Sequence, residues 1–278
     1  MSPIKRDRAY ERRRWENYQK KLSERRERQL RMRRVGAILG AVATIFVVVG
    51  GTYYLMTRGD DSSSTAAQPT PAPSASATPT TTAKNPCKPV TVTPPATPKS
   101  WASVPSKDGA GDKTWNVTLG TNCGDIRLSL DGEKAPQAVS SMLHLIKGDF
   151  YTGSACHRLT TDGLYVLQCG DPTGSGTGSP GYSYGPIENA PKNDVYPAGT
   201  IAMARQGNKG DSMGSQFFLV YKKSTIPSDS AGGYTILGKI TDGLDIVKKI
   251  AAGGTVDGGG DGSPMFPIAI ESAKAESE

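Results

Sequence analysis

The stretch ACHRLTTDGLYVLQCGDPTGSGTGSPGY, residues 155–182, holds one of the two histidines of the 278-residue chain and two of its four cysteines. It opens with two short runs, ACHRLT and LYVLQC, which predict two β-strands, and ends in a glycine-rich segment. We expect the two strands to adjoin, and a hairpin between them could place Arg158 on the first opposite Gln168 on the second.

The glycines of this stretch do not predict a nucleotide-binding loop. Gly176, Gly178 and Gly181 match the pattern G-x-G-x-x-G, but such a loop must open a helix whose N-terminus meets the phosphates. Here Pro180 interrupts the run, and YSYGP follows it without a helical pattern. We therefore expect a turn-rich loop.

The cysteines fit disulfides better than a metal or a nucleophile. Cys156 and His157 are neighbours, which on a strand point to opposite faces, and the chain has no C-x-x-C pair. Four cysteines allow three connectivities. If the two strands pair as expected, Cys156 and Cys169 lie on opposite faces, which disfavours their pairing and leaves Cys87 or Cys123 as partners. A single bulge would reverse this parity.

Outside this stretch, short apolar runs alternate with glycine turns. TWNVTLGTN and GDIRLSLDG predict a strand pair, and GTIAMAR, SQFFLVY, YTILGKI and FPIAIES predict further strands. APQAVSSMLHLIKGD and GLDIVKKIAAGG have helical spacing, and the first helix should end at Gly148. His144 on that helix is expected to be a surface or packing residue. About eight strands and two helices favour a mainly β fold with a closed barrel.

The motifs CHRLTTDGLYVLQCGD, GTIAMAR, GSQFFLVY and YTILGKITDGLDIVKKI stand in the order typical of cyclophilins. Residues 114–272 resemble this family of peptidyl-prolyl isomerases, and most of all its membrane-anchored extracytoplasmic bacterial members. The resemblance implies a closed eight-stranded antiparallel barrel capped by two helices. It also implies a peptide groove on one outer face and no cofactor or metal.

Site residues follow from the same resemblance. CHR is similar to the family's F-H-R, which makes Arg158 the catalytic arginine with His157 beside it, and Gln168 matches the glutamine before the G-G-D turn. Further substrate contacts are implied for Tyr165, Val166, Met203, Ala204, Arg205, Gln216, Phe218, Ile226 and Tyr234.

Four of these positions depart from the family pattern. Ile226 falls near the usual tryptophan, which predicts weak binding of cyclosporin. Tyr165 stands for phenylalanine and Arg205 for asparagine, so we expect an altered substrate preference, with the charge of Arg205 projecting into the groove rim. Tyr234 falls where the family often has histidine.

These residue types suit a reaction without a covalent intermediate. Rotation about an X-Pro bond has a barrier of roughly 18–20 kcal/mol and passes through a twisted state with a pyramidal proline nitrogen. An arginine can donate a hydrogen bond to that nitrogen, a glutamine can hold the arginine or the substrate carbonyl, and an apolar slot can hold the ring.

The chain ahead of the barrel has another composition. Residues 1–34 hold fourteen Lys and Arg against five Asp and Glu and predict a basic cytoplasmic tail. Residues 35–57 are uncharged and can span a hydrocarbon core of about 30 Å, so we expect a transmembrane signal-anchor rather than a cleaved signal peptide. The positive flank keeps the N-terminus inside. Residues 58–112, rich in Pro, Ser, Thr and Ala, predict a disordered linker to a domain at 113–274.

The sequence therefore predicts a monomeric, single-pass membrane protein whose extracytoplasmic domain isomerises X-Pro bonds in exported or cell-surface polypeptides. Nucleic-acid binding is not expected, because the high pI belongs to the tail, which lacks an aromatic platform. Two alternatives stay open. The domain could bind or scaffold proline-rich partners without catalysis, although a binder need not keep Arg158. The tail could itself be the main interaction element.

Overall fold

The computed structural model describes residues 84–91 and 98–278. The predicted basic tail and transmembrane segment lie outside these ranges, as does much of the predicted linker. Within the two ranges, no helix combines the length and the hydropathy needed to cross a bilayer.

The described chain contains eleven strands, two α-helices and one 3-10 turn at Lys107–Ala110. The strands are β1 Thr114–Thr121, β2 Gly124–Asp131, β3 Arg158–Thr160, β4 Val166–Cys169, β5 Val195–Tyr196, β6 Thr200–Met203, β7 Phe217–Val220, β8 Ser224–Thr225, β9 Ile236–Asp242, β10 Asp261–Gly262 and β11 Ile270–Ser277. The helices are α1 Pro136–Lys147 and α2 Leu244–Gly253.

The hairpin β1–β2 forms where the sequence predicted a strand pair. Its register places Val117 opposite Leu128 and Leu119 opposite Ile126, and all four side chains are buried in the main core. Because side chains alternate along a strand, the residues between them face away from that core. The period-two pattern therefore located this hairpin correctly.

Nine strands form one curled antiparallel sheet in the order β10-β3-β4-β7-β6-β9-β2-β1-β11, and β5 pairs with β8 in a separate two-stranded sheet. The expected mainly β fold with two helices is confirmed, but the sheet has nine strands and is a curled half-barrel rather than the expected closed eight-stranded barrel. The edge strands are β10 and β11, and the segment before β3 meets the segment before β11 at an isolated bridge between Ala155 and Ala269. Hydrogen bonds outside the regular strands link these two segments, since the Cys156 N–H donates to the Ile268 carbonyl and the Ile270 N–H donates to the Ser154 carbonyl.

Both predicted helices are confirmed. The helix α1 ends at Lys147, and Gly148 is its C-cap. At its first turn, the backbone N–H groups of Gln137 and Ala138 each donate to the Glu188 carboxylate at 3.0 Å, which suits the positive end of a helix dipole. The helices bury their apolar faces in the same core as one face of the sheet.

The described chain ahead of β1 is attached to the domain. Cys87 forms a disulfide with Cys123 in the β1–β2 turn, and the Lys88 N–H donates to the Asn122 carbonyl at 2.9 Å. Further on, Trp101 packs edge-on against His144 of α1, with ring centroids 5.3 Å apart. The packing role expected for His144 is confirmed, and this part of the predicted linker lies on the folded domain.

Candidate active site

Two neighbouring rows of residues cross four adjacent strands, and they lie on opposite faces of the sheet. Pairing places Leu159 of β3, Leu167 of β4, Leu219 of β7 and Ile201 of β6 side by side, and all are buried in the main core. The next row along the same strands is Arg158, Gln168, Phe218 and Ala202. Because adjacent residues on a strand face opposite sides, this second row lies on the outer face of the sheet. The arginine, glutamine and phenylalanine expected in the site are thus brought together by register.

The guanidinium of Arg158 forms hydrogen bonds with two side chains. Its Nε and Nη2 each donate to one carboxylate oxygen of Asp261, both at 2.7 Å, and its Nη1 donates to Oε1 of Gln168 at 3.2 Å. The hydrogen bonds to Asp261 raise the pKa of Arg158, which keeps the guanidinium charged. Three of its five N–H donors are engaged by side chains, which leaves two for a ligand.

Hydrogen bonds continue from Arg158 into the glycine-rich loop. The Gln168 Nε2 donates to Oε1 of Gln216 at 2.8 Å, and the Gln216 Nε2 donates to the carbonyls of Gly176 and Gly178, both at 3.1 Å. The loop therefore borders the site as a turn-rich segment, and its carbonyls, which are acceptors, face Gln216 rather than a phosphate.

An apolar cluster lies beside the arginine on the outer face. It is built around Phe218 and holds Val166, Ala202, Val220 and Tyr196, and its partly buried members are Leu164, Ala204, Ile226, Tyr234 and Ile236. The ring of Phe218 meets that of Tyr234 edge-on, with centroids 5.7 Å apart. Phe218 is 5% exposed and lies at the floor of this cluster. A charged donor and an apolar cluster therefore lie on the same outer face.

Two expected contact residues are directed to the main core instead, Met203 within it and the half-buried Tyr165 against it. Met203 is 1% exposed, and Tyr165 packs against core residues, with its ring edge-on to Tyr221 at 5.9 Å. Adjacent side chains on a strand point to opposite faces of the sheet. Because Val166 and Ala202 face the outer cluster, their neighbours Tyr165 and Met203 point toward the main core. Of the implied contacts Tyr165 and Val166, Val166 alone joins the cluster around Phe218.

His157 lies beneath the glycine-rich loop. Burial lowers its pKa, and the nearby Asp171 carboxylate opposes this only in part, so the ring is neutral near pH 7. Asp171 is itself fully buried and braces the loop, since it accepts from the backbone N–H groups of Thr173 at 2.7 Å and Gly178 at 3.1 Å.

The expectation that Arg205 projects a charge into the groove rim is wrong. Its side chain is 0% exposed and forms a two-point ion pair with Asp229, in which both N–O distances are 2.9 Å. The guanidinium lies over the ring of Tyr234, 4.5 Å from the centroid. Two departures from the family pattern, at 205 and 234, thus meet in one stacked pair.

The inference against a Cys156–Cys169 pair is also wrong. All four cysteines are paired, as Cys87–Cys123 and Cys156–Cys169. The ladder of β3 begins only at Arg158, and the N–H of Cys156 donates instead to the Ile268 carbonyl. Alternation is broken ahead of the strand, so that Cys156 is buried on the same side as Cys169.

Asp261 was not identified from the sequence. It belongs to β10, a strand of two residues, inside the run DGGGDG. A strand this short shows no alternation, and the only available signal was a carboxylate in a glycine-rich loop. Among the described residues, no group of three or more His, Cys, Asp or Glu side chains could hold a metal ion.

Comparison with known families and relatives gives a consistent match. Residues 116–275 match the family described as "Cyclophilin type peptidyl-prolyl cis-trans isomerase/CLD". The chain is 42% identical over 175 residues to the probable peptidyl-prolyl cis-trans isomerase B of Mycobacterium leprae, covering 59% of this chain and 57% of that protein. It is 40% identical over 147 residues to a peptidyl-prolyl cis-trans isomerase of Helicobacter pylori, covering 52% of this chain and 85% of that protein.

A solved structure extends the likeness to the fold. A cyclophilin-type peptidyl-prolyl cis-trans isomerase of Cryptosporidium parvum superposes with a TM-score of 0.50 at 27% identity, covering 59% of this chain and 99% of that one. The chain spans a little over half the length of the mycobacterial relative.

Proposed function

The chain belongs to the cyclophilin-type peptidyl-prolyl cis-trans isomerase family, and from this premise we propose that its described domain isomerises X-Pro bonds through Arg158. One observation carries the proposal. The outer-face row joins a charged arginine that has two unengaged donors to an apolar cluster centred on Phe218. A proline ring needs the cluster, and the twisting amide needs the donor.

The chemistry requires a donor that is fixed before the substrate arrives. As the X-Pro bond rotates, conjugation is lost and the proline nitrogen gains a lone pair that it lacks in the planar state. A hydrogen bond to that nitrogen is stronger in the twisted state than in either planar isomer, so it lowers the barrier. Arg158 can supply this bond because Asp261 and Gln168 already hold its guanidinium.

The remaining residues would bind and place the peptide. Phe218, with Val166, offers the apolar wall against which the ring can rest, and Ala204 extends that surface. Gln216 lies beside Gln168, and because its N–H groups already donate to the carbonyls of Gly176 and Gly178, its Oε1 is the atom that can meet the peptide backbone. Ile226 also packs on the cluster, and its aliphatic side chain gives no indole N–H for a cyclosporin carbonyl, so we expect weak cyclosporin binding.

We further propose that the domain works outside the cytoplasm, tethered by residues 35–57 as a single-pass anchor with the N-terminus inside. The pairing of all four cysteines supports this, because disulfides persist in oxidising compartments. Its substrates would be exported or cell-surface polypeptides, whose uncatalysed isomerisation takes tens of seconds or longer. A purely binding domain is not favoured, since it would have no need for a preoriented arginine.

The decisive test compares Arg158→Ala with the wild-type chain in an X-Pro peptide isomerisation assay. We expect kcat/KM to fall at least roughly tenfold, which corresponds to about 1.4 kcal/mol of transition-state stabilisation. Arg127→Ala is the matched control, because Arg127 is an exposed arginine of β2 that pairs with Asp242 at 3.7 Å. Wild-type activity in the Arg158 variant, or a wild-type chain that binds peptide without accelerating isomerisation, would refute the proposal.

A further inference from the structure

Asp261 makes the shortest side-chain contacts of Arg158. Both of its oxygens accept at 2.7 Å, whereas Gln168 accepts at 3.2 Å. Hydrogen bonds between ionised partners are roughly twice as strong as neutral ones, and a two-point contact also fixes geometry. The carboxylate, rather than the glutamine, is therefore the main restraint on the guanidinium.

The way in which Asp261 holds Arg158 determines which donors remain. The guanidinium is planar, and its Nε and Nη2 are both engaged along one edge by the carboxylate. Gln168 engages one N–H of Nη1. The two remaining N–H groups, one on each Nη, then point in directions set by the plane that Asp261 fixes.

Sheet pairing holds Asp261 at the correct place. In the ladder of β10 and β3, Asp261 lies opposite Thr160, two residues from Arg158 on the same face. The loop around it is tied to the neighbouring chain, since the Thr161 N–H donates to the Gly260 carbonyl at 2.8 Å. A carboxylate diagonal to the arginine is therefore part of the edge of the sheet and is not carried by a free loop.

This ion pair contributes little to folding. The side chains of Arg158 and Asp261 are 40% and 55% exposed, and pairs this accessible typically add little to stability because water and salt screen them. At position 261, a carboxylate can accept hydrogen bonds from both Nε and Nη2 of Arg158, because it has no donor of its own. An amide would set an N–H against Nε or Nη2 and could not reproduce the contact.

We infer that Asp261 is a positioning residue, which orients the guanidinium of Arg158 so that its unengaged N–H groups meet the twisting X-Pro amide. This inference rests on the isomerase function proposed above. The inference gives a function to β10, one of the two edge strands of the sheet, because this strand carries Asp261.

The test measures kcat and KM separately, by NMR exchange on an X-Pro peptide, in the full chain and in Asp261→Ala, Asp261→Asn and Asp261→Glu. We expect kcat to fall about fivefold in the Ala and Asn variants, the loss equivalent to one exposed ion pair, with KM changed less than about twofold. Asp261→Glu should regain at least half of the lost kcat, because it restores the carboxylate. The matched control is Asp242→Ala, which removes the carboxylate of the exposed pair with Arg127.

The outcomes separate this inference from the function on which it rests. If Arg158→Ala abolishes activity while Asp261→Ala and Asp261→Asn retain the wild-type kcat, the positioning role is refuted and the isomerase function stands. An increase in kcat in either variant would also refute it, since Asp261 would then hold Arg158 in an unproductive orientation. If Arg158→Ala keeps full activity, the proposed function fails first. A kcat that falls equally in Asp242→Ala would show a general effect of charge rather than positioning.

Discussion

Two arginines of this domain each make a two-point ion pair with an aspartate, yet they serve different ends. Arg205 is completely buried, and all five of its donors are engaged, by the carboxylate of Asp229 and by the carbonyls of Gln206, Gly232 and Gly233. Arg158 has a similar pair with Asp261 but is 40% exposed, and only three of its donors are engaged by side chains.

The comparison of Arg205 with Arg158 indicates how an arginine that can bind a ligand differs from one that holds the fold together. Residue type and ion pairing do not distinguish the two, since both have them. What distinguishes them is the number of donors left without a protein partner: none at Arg205 and two at Arg158. A saturated guanidinium fastens the loop at 229–233 and the ring of Tyr234, whereas an unsaturated one can still form hydrogen bonds to a ligand.

The largest expected effect comes from removing the saturated arginine. Arg205→Met should lower the free energy of unfolding by about 3 kcal/mol, because it removes the buried guanidinium that donates to both oxygens of the Asp229 carboxylate and to three backbone carbonyls. Chemical denaturation measures the loss. Arg127→Met, which removes an exposed arginine, should change it by less than about 0.5 kcal/mol, and equal losses in the two variants would contradict the comparison.

An intermediate effect concerns pH. Hydrogen bonds from Arg205 hold the pKa of Asp229 well below its ordinary value, so this carboxylate stabilises the fold above the unfolded-state pKa of about 3.9 and loses that contribution as pH falls toward its folded-state pKa. The stability difference between the wild-type chain and Asp229→Asn should therefore be full at pH 7 and shrink steadily below about pH 4. Denaturation of both proteins across this range measures it, and a pH-independent difference would show that Asp229 does not titrate in this way.

The smallest expected effect is the change in stability when Arg158, the arginine with two unengaged donors, is replaced. Arg158→Met should lower the free energy of unfolding by less than about 1 kcal/mol, because its pair is solvent-screened. The same denaturation series checks this. A loss as large as that of Arg205→Met would mean that Arg158 is a structural residue, and would remove the distinction between the two pairs.

Periodic segments were predictable from the sequence. The hairpin β1–β2 and the helices α1 and α2 show regular apolar spacing over enough residues to indicate their type. The predicted Gly148 is the C-cap of α1. The opposition of Arg158 and Gln168 also followed from two short strands joined in sequence. Their roles in catalysis stay predictions.

The features that could not be predicted depend on partners distant in sequence or on strands too short or irregular to show alternation. The strands β5, β8 and β10 have two residues each, so alternation is not visible in them, and Asp261 was missed with β10. Cys156 pairs with Cys169 because the chain leaves the regular ladder just before β3. The burial of Arg205 depends on carbonyls and a carboxylate more than twenty residues away, which no local pattern reports.

The disulfide between Cys87 and Cys123 has a mechanical consequence. A pulling force on the chain ahead of Cys87 passes through the S–S bond to the turn between β1 and β2, and it bypasses the 36-residue interval between the two cysteines. Trp101, which packs on α1, lies within the bypassed interval and is not on the path of this force. Because the force enters at one end of a strand pair far in sequence from Arg158, the outer face that carries Arg158 can keep its geometry while the chain ahead of Cys87 is pulled.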